Sequence, residues 1–573
     1  MQKLCERHPA ACIAAALALL CGYVDSYDMQ QFSIHVYGNE SHAISPLLFG
    51  IFFEEINNAG DGGLYAEMVR DRSFEALAAQ PLPTEAGMKD GSAGWVPWPG
   101  TEMAITSEYP VSMSNRHAAC LSTKEAVGGL SNGGYWGISV QGGREYAVSM
   151  YISLPPSSMA DMKNMTRTGA KWVRVALQSQ DGKVTYASAT TSAPSEHWEL
   201  RNATLFPLET DTNATLSITF QGPGQLLIDA VSLFPSENAR AGSVNPWPFR
   251  KDLLDMLKAL RPRFLRFPGG CYVEGGPLLK DKFQWKAALG PSINRPGHWN
   301  AQWGYWSTDG LGLFEYMLLA EVLEAEPVWV VNAGISHQED TPTSQIGPWV
   351  QDALDSIEFI SGPANSTWGA KRAAMGRAKP WNLTYLAVGN EDCEHPAYIG
   401  NYLAFYFAIK AHHPHIKLIA NCDLGDAAPT EVYDWHMYTS ADDLFARRND
   451  FDQSVAGQGP QVFASEYAVQ VGAGWGNLKV VNIAPHRQDV SVFLHNITWG
   501  AVSLASKQTI IVGPTPQAEN SFQDPHLIEA QEADLDLRIV DKNSSAAFNI
   551  TLPGTSVMCL EMEISKGSKL ALP

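Results

Sequence analysis

Read along the chain, the hydrophobic positions fall into stretches of different period. Between residues 45 and 75 an unbroken apolar run, Leu47-Leu48-Phe49-Gly50-Ile51-Phe52-Phe53, stops at Glu54-Glu55. Apolar residues without alternation predict a strand buried on both faces, as in a parallel sheet. Gly63–Arg72 then predicts a helix, with Leu64, Ala66, Met68 and Val69 on overlapping faces. Over 76–236 short alternating runs appear between Gly-, Pro-, Ser- and Thr-rich turns: Trp136–Val140, Tyr146–Ser153, Trp172–Gln178, Ala203–Phe206, Thr215–Phe220 and Gln225–Leu233. That spacing predicts an inserted β-sandwich. Over 237–475 helical patterns (Phe249–Leu260, Leu311–Glu326, Trp349–Ile360, Tyr398–His413) alternate with strand patterns. The strands are Phe264–Phe267, Pro327–Asn332, Leu383–Gly389, Ile416–Asn421, Val432–Tyr438 and Val462–Ala468. Repeated βα units whose strands are apolar on both faces predict a (β/α)8-type barrel that begins at 45–75 and resumes after the sandwich. Over 476–573 helical periodicity is absent. The runs Leu478–Asn482, Val490–His495, Gln508–Val512, Leu535–Ile539 and Val557–Ile564 predict a second, C-terminal β-sandwich. The fold class is therefore α/β plus all-β.

In such a barrel the chemistry sits at the C-terminal ends of the strands. Glu54 and Glu55 follow the first strand, Pro268-Gly269-Gly270-Cys271 the second and Asn332 the third. Asn390-Glu391-Asp392 follows the fourth; His436 and Tyr438 belong to the sixth, and Glu466-Tyr467 to the seventh. Several strand ends thus deliver carboxylates toward one mouth. A carboxyl pair flanking a bond is what glycoside hydrolysis requires, one protonated to serve the leaving oxygen and one ionised to attack the anomeric carbon. A lone Glu after a strand is more often a cap or an ion-pair partner. Glu, His and Tyr at successive strand ends make a packing explanation necessary each time. Asn390 is placed to hold a sugar hydroxyl, and Tyr438 to orient Glu466. Trp299, Trp303 and Trp306 are either core residues or a sugar-stacking wall; Trp95, Trp98 and Trp136 are weaker candidates for a sugar face on the sandwich. Gly-rich phosphate loops, H-E-x-x-H pairs and G-x-S-x-G elbows are absent.

Composition narrows the partners and the compartment. With 60 acidic against 40 basic side chains in 573 residues, the net charge of −20 repels phosphate backbones, so no nucleic acid ligand is expected. Lys3 and Arg7 precede the apolar run Ala10–Val24, which reads as a secretory signal peptide over 1–26. The run falls short of the roughly 20 residues of a span, so no membrane attachment is expected after cleavage. Sequons begin at Asn39, Asn164, Asn202, Asn213, Asn365, Asn382, Asn496, Asn543 and Asn549, in keeping with a secreted, extracellular glycoprotein. Beyond the leader, Cys120, Cys271, Cys393, Cys422 and Cys559 leave room for one or two disulfides without fixing their pairing, and they show no metal-ligand spacing.

Six motifs in order, F-G-I-F-F-E-E-I-N, R-F-P-G-G-C-Y-V-E-G, V-W-V-V-N-A-G-I-S-H, A-V-G-N-E-D, Y-D-W-H-M-Y and F-A-S-E-Y-A, resemble family 51 glycoside hydrolases of the plant-type α-L-arabinofuranosidase branch. The resemblance spans Ser45 to Ala473, including a carbohydrate-binding-like sandwich after the first βα unit, and resumes in the C-terminal sandwich. It implies that Glu391 is the general acid/base and Glu466 the nucleophile. It further implies that Glu54, Cys271, Asn390, His436 and Tyr438 contact the arabinofuranose or orient the carboxylates. Cys271 stands where bacterial relatives usually carry Asn. The implied reaction is retaining release of terminal α-L-arabinofuranosyl residues from arabinoxylan- or arabinan-type polysaccharides, with no metal and no organic cofactor. A raised Glu391 pKa is expected, falling once Glu466 is esterified. In one respect the chain departs from the family: Glu466-Tyr467-Ala468 is followed almost at once by the sandwich-like Asn477–Val481. A βα unit takes roughly 30 residues, so the barrel is expected to lack its last βα portion, with open strand edges and poor folding or activity as consequences. The alternatives are a β-xylosidase or endo-β-glucanase on the same barrel, or a carbohydrate-binding glycoprotein without turnover.

Overall fold

The computed structural model describes residues 45–79, 94–156, 170–238, 247–451 and 459–468 in full, with backbone strands at Phe32–Tyr37, Gln488–His495, Lys507–Val512, Glu529–Asp534, Ser545–Leu552 and Ser556–Glu561. Two compact units result, Pro46–Met437 with Asn449–Tyr467, and Met1–Ser45 with Tyr438–Arg448 and Ala468–Pro573.

The first unit is built on a sheet of seven strands whose spatial order is their chain order. They are β1 (Ile51–Phe52), β2 (Phe264–Phe267), β3 (Glu326–Val331), β4 (Tyr385–Val388), β5 (Lys417–Ala420), β6 (Val432–Thr439) and β7 (Gln461–Val469). β1 to β6 pair in parallel and β7 adds beyond β6. Helices α1 (Lys251–Leu260), α2 (Leu313–Leu323), α3 (Gly347–Ser361) and α4 (Tyr398–His412) precede β2, β3, β4 and β5. The missing alternation in these strands has a simple cause. Successive side chains point to opposite faces, and both faces are covered. Leu265, Phe267, Trp329, Val331, Leu386, Val388, Leu418 and Ala420 join the large core that includes the helices, while Phe264, Val328, Val330, Ala387, Ile419 and Val432 form the inner cluster. The sheet curls into a nearly closed barrel, so that Phe463 on β7 meets Phe264 on β2 with ring centroids 4.8 Å apart. Among the described residues the barrel has seven strands, as the short segment after Glu466 implies.

Two expectations near the start of the barrel need correction. The apolar run Leu47–Phe53 yields only the two-residue β1, and Leu48, Phe49 and Phe52 are exposed. β1 pairs only with β2 and ends the sheet, and Phe49 turns the backbone into the left-handed region at φ 66°. Gly63–Arg72 is not a regular helix. Its amides go elsewhere: Ala66 N–H donates to Pro248 O and Met68 N–H to Leu233 O, while Glu67 Oε1 accepts from Val69 and Leu233. The segment links two cores, with Leu64, Tyr65 and Ala66 in the barrel and Val69 in the sandwich.

The sandwich stacks two antiparallel sheets. One runs Thr185–Ser192, Trp172–Ser179, Asp211–Gln221, Val127–Asn132, Trp95–Pro97, with Ile138–Val140 on the side of Asp211–Gln221. The other runs Glu199–Leu205, Tyr146–Ser153, Gly224–Pro235, Ala118–Thr123, Thr101–Thr106. Val173, Val175, Ile218 and Phe220 from the first face Val148, Met150, Leu226 and Ile228 from the second in one core. Five of these strands escape the hydrophobic pattern, Val127–Asn132 among them because its small residues let neighbours close in. A Cβ at Gly129, for example, would lie 2.7 Å from Ile218 O. Trp95 is a core residue stacked on Phe74, and Trp98 donates to Ser131 Oγ; Trp136 is the exposed one of the three.

In the second unit Phe32–Tyr37 pairs in parallel with Gln488–His495, which pairs antiparallel with Ser545–Leu552. Lys507–Val512 lies between Glu529–Asp534 and Ser556–Glu561. The runs Leu478–Asn482 and Leu535–Ile539, the leader, and Asn39, Asn164, Asn496 and Asn543 lie outside the described residues. Asn202, Asn213, Asn365 and Asn382 are exposed, and Asn549 lies on a strand. Among the described residues no helix is long and apolar enough to cross a membrane.

Trp329 fills the space between β3 and α3 and donates from Nε1 to Ser356 Oγ at 2.9 Å. Trp329→Ala is expected to lower stability by about 3–5 kcal/mol, read as a lower urea midpoint by far-ultraviolet circular dichroism.

Candidate active site

The site is organised by a charge inside the barrel. Arg266 stands in the strand Phe264-Leu265-Arg266-Phe267 and is 1% exposed. A buried cation needs partners, and three strands supply them. Its Nη1 donates to Glu466 Oε1 on β7 at 2.5 Å and its Nη2 to Asn390 Oδ1 after β4 at 2.8 Å, while Nε lies 3.5 Å from Asp434 Oδ2 on β6. Asn390 passes the link on, because its Nδ2 donates to Glu274 Oε2 at 2.9 Å. Both ends of this buried amide are thus occupied, so Asn390 cross-links Arg266 to Glu274 instead of presenting a free amide.

Glu391 leaves β4 through a left-handed backbone, φ 54°, which a non-glycine residue adopts only under constraint. Asp392 Oδ2 supplies part of that constraint, accepting from Asn390 N at 3.1 Å and from Asn421 Nδ2 at 3.2 Å. The Cys393–Cys422 disulfide ties the same turn to the end of β5. The Glu391 side chain emerges half exposed and accepts from His436 Nδ1 at 2.7 Å. The same Nδ1 lies 3.8 Å from Glu466 Oε2. Carboxylate oxygens of Glu391 and Glu466 come within 4.8 Å of each other. His436 and Asp434 are two apart on β6 and share a face; Asp434 Oδ2 is 3.1 Å from His436 Nε2 and accepts from Ser465 Oγ at 2.6 Å. Tyr438 follows on the same strand and is about a third exposed.

Glu54 enters from β1. Its Oε1 accepts from Tyr272 N at 2.9 Å and from Trp303 Nε1 at 3.0 Å. The Pro-Gly-Gly turn makes room for it: a Cβ on Gly270 would fall 2.3 Å from Glu54 Oε2, and Gly270 also has φ +64°. Glu55 turns away, accepting from Tyr305 OH at 2.9 Å. Trp303 belongs to the turn between His298–Asn300 and Tyr305–Ser307, where Trp299 pairs with Trp306. Cys271 opens the one-turn helix Cys271–Glu274 and is a free, partly buried thiol.

These contacts set the protonation pattern. Burial, then the charge of Glu466, pushes Glu54 up to about 8, so it is a neutral acid at pH 7. Burial works against a charged His436, yet hydrogen bonds to Asp434 and Glu391 hold it up to about 9. Glu391 departs from the raised pKa expected of it. The His436 hydrogen bond, opposed by burial, lowers it, so in the free site the proton resides on the imidazole. Burial and the neighbouring Glu274 push the Cys271 thiol well up.

Glu54, Cys271, Asn390, Glu391, His436 and Glu466 are brought into this one constellation, whereas Glu55 turns to Tyr305, Trp95, Trp98 and Trp136 belong to the sandwich, and for Tyr438 the observation is its strand position. Arg266, Glu274, Asp434 and Ser465 were not foreseen, and Trp303, named as core or sugar-stacking wall, donates to Glu54. A lone Arg amid an apolar strand was the available signal for the first, and two-residue spacing from His436 for Asp434.

Residues 256–456 match the family model described as the alpha-L-arabinofuranosidase 1 domain. The chain is 41% identical over 448 residues to alpha-L-arabinofuranosidase 1 of Arabidopsis thaliana, covering 76% of this chain and 62% of that protein. It is 30% identical over 493 residues to alpha-L-arabinofuranosidase A of Aspergillus niger, covering 81% and 72%. In fold it is similar to an arabinose-bound GH51 α-L-arabinofuranosidase (MgGH51), with TM-score 0.77 at 23% identity over 93% of this chain and 100% of that one. The chain spans a little under two thirds of the length of the plant relative.

For Glu54 the linkage sign is definite. A folded pKa raised from 4.5 to about 8 gives stability that is fully present below pH 4.5 and lost as pH rises through 8. Glu54→Gln, which cannot ionise, is expected to gain thermal stability relative to the parent between pH 5 and 9, about level at pH 4. Melting temperatures of both proteins across that range check it.

Proposed function

The chain belongs to the family 51 α-L-arabinofuranosidases, and from that premise we propose that it is a secreted, retaining glycoside hydrolase. Its substrates are terminal α-L-arabinofuranosyl groups on arabinoxylan- or arabinan-type polysaccharides. The observation that carries the reading is the approach of the Glu391 and Glu466 carboxylates to within 4.8 Å across a mouth open on the Glu391 side. Retention needs carboxyl groups about 5–5.5 Å apart, whereas inversion needs room for a water and roughly 6.5–9.5 Å.

Glu466, oriented by Arg266, attacks the anomeric carbon as the bond to the leaving oxygen breaks. That oxygen takes its proton from Glu391. Glu391 is ionised in the free site, and the proton within reach is the one on His436 Nδ1 at 2.7 Å. As the aglycone covers Glu391 and strips its water, the carboxylate becomes the better base and the proton crosses to it. In the second step Glu391 takes a proton from water, whose oxygen attacks the arabinosyl-Glu466 ester and releases the Glu466 carboxylate. Esterification removes the Glu466 charge, which favours ionised Glu391 and suits it to act as base. Glu54, a neutral acid, donates a hydrogen bond to a sugar hydroxyl. The leader at 1–26 and the exposed sequons at Asn202, Asn213, Asn365 and Asn382 support export.

Glu391→Ala is expected to lose about 10²–10⁴-fold in kcat/KM on substrates with poor leaving groups and much less on a dinitrophenyl arabinofuranoside. Sodium azide should rescue it, attacking the arabinosyl-enzyme to give α-L-arabinofuranosyl azide. Glu466→Ala should lose at least ~10⁴-fold on every substrate. Proton NMR of the azide product decides the matter, since a β-azide from Glu391→Ala sinks the assignment of roles. Parallel assays on an aryl xyloside and a β-glucan should show at most weak turnover.

A further inference from the structure

Beside the carboxylate pair lies a second cluster that the hydrolytic reading does not use in full. We propose that Cys271, Glu274 and His337 form a three-ligand site for a thiophilic dication, zinc by ligand type, whose occupation closes the sugar site. One ligand atom from each of the three lies within 4.8 Å of the other two, and Glu274 Oε1 is 3.7 Å from His337 Nε2. Bonds of about 2.0–2.3 Å arranged tetrahedrally put ligand atoms roughly 3.3–3.8 Å apart. The His–Glu spacing therefore already suits zinc, and the thiol closes the remainder by a small movement. Cys271 and Glu274 are three apart on one helical turn and share its face. His337 comes from the loop after β3, its backbone anchored by donation to Gly276 O at 3.0 Å while its side chain, 39% exposed, already faces Glu274.

The surroundings support a cation. The second Glu274 oxygen is held by Asn390 Nδ2, the kind of outer contact that orients a metal ligand. The Glu274, Glu391 and Glu466 carboxylates lie close enough to act on the Cys271 thiol, so negative charge gathers near this point. A thiol with imidazole and one carboxylate favours zinc over magnesium or calcium, which prefer all-oxygen cages. Binding exchanges one bond for another: the zinc–sulfur bond forms as the thiol proton leaves to solvent. The fourth position stays open to water. That the bound ion blocks hydrolysis rests on the function proposed above together with the sugar contact at Cys271 that the family resemblance implies; the binding itself does not.

The test uses the full chain with zinc chloride, and magnesium chloride as the control. Calorimetric titration measures affinity, and peptide mass mapping measures the rate at which iodoacetamide alkylates Cys271. Zinc, and not magnesium, should slow Cys271 alkylation at least tenfold. His337→Gln and Cys271→Ser, each checked by circular dichroism, should each weaken zinc binding at least about tenfold. Zinc should inhibit aryl arabinofuranoside hydrolysis competitively in the parent, and His337→Gln should relieve that inhibition without changing the zinc-free rate. Unchanged Cys271 alkylation with zinc, or equal zinc affinity in parent and His337→Gln, overturns the proposal; the latter places the ion on Glu391, His436 and Glu466, the other group of that spacing. A chain that shows the zinc effects on Cys271 but hydrolyses no arabinofuranoside sinks the hydrolase reading and leaves the site standing.

Discussion

A guanidinium without water is the constraint from which the rest of the barrel follows. Arg266 sits on β2 with nearly all of its surface removed from solvent, and a bare charge there would cost several kcal/mol. Neutralising it requires β4, β6 and β7 to bring Asn390, Asp434 and Glu466 to one point. Satisfying that one charge therefore fixes the relative placement of four strands. It also sets the orientation of Glu466 and, through Asn390, of Glu274 and the turn that carries Glu391. The electrostatics of stability and the geometry of the proposed reaction are here the same set of contacts.

A second layer of order surrounds the half-exposed Glu391. Its left-handed backbone is held by Asp392, Asn421 and a disulfide. Its side chain is held by an imidazolium that is in turn clamped by Asp434 and Ser465. The result is a carboxylate whose resting state is ionised and whose proton is stored one hydrogen bond away. Glu54 shows the opposite arrangement, a carboxyl group kept neutral by burial beside a like charge. Two acids of one barrel mouth are thus set to different protonation states by the environment alone.

The barrel was legible in the sequence because its strands are buried on both faces and its helices alternate with them; Phe264–Phe267 in the barrel, and Tyr146–Ser153 in the sandwich, appear with the predicted bounds. Residues at strand ends could be named because strand ends are where a barrel concentrates chemistry. What could not be read depends on three-dimensional neighbours. The direction of the Glu391 shift rests on which atom His436 faces, and the strand Val127–Asn132 carries Gly128, Gly129 and Ser131, whose fit appears only against Asp211–Gln221. The supposed helix at Gly63–Arg72 failed because apolar spacing cannot reveal that a segment spans two cores. Arg266 was visible as an anomaly, a charge in an apolar strand, but its partners lie up to 200 residues away.

The pairing of Phe32–Tyr37 with Gln488–His495 bears on how the molecule is made. Phe32 finds its partner only when Val490 has left the ribosome. Until then this first of the described strands has to wait for that partner while the barrel and the inserted sandwich are synthesised. Closure over so great a separation is slow compared with local pairing. The nascent chain therefore carries an unpaired β-edge throughout translation, and that edge is the place where a chaperone would have most to protect.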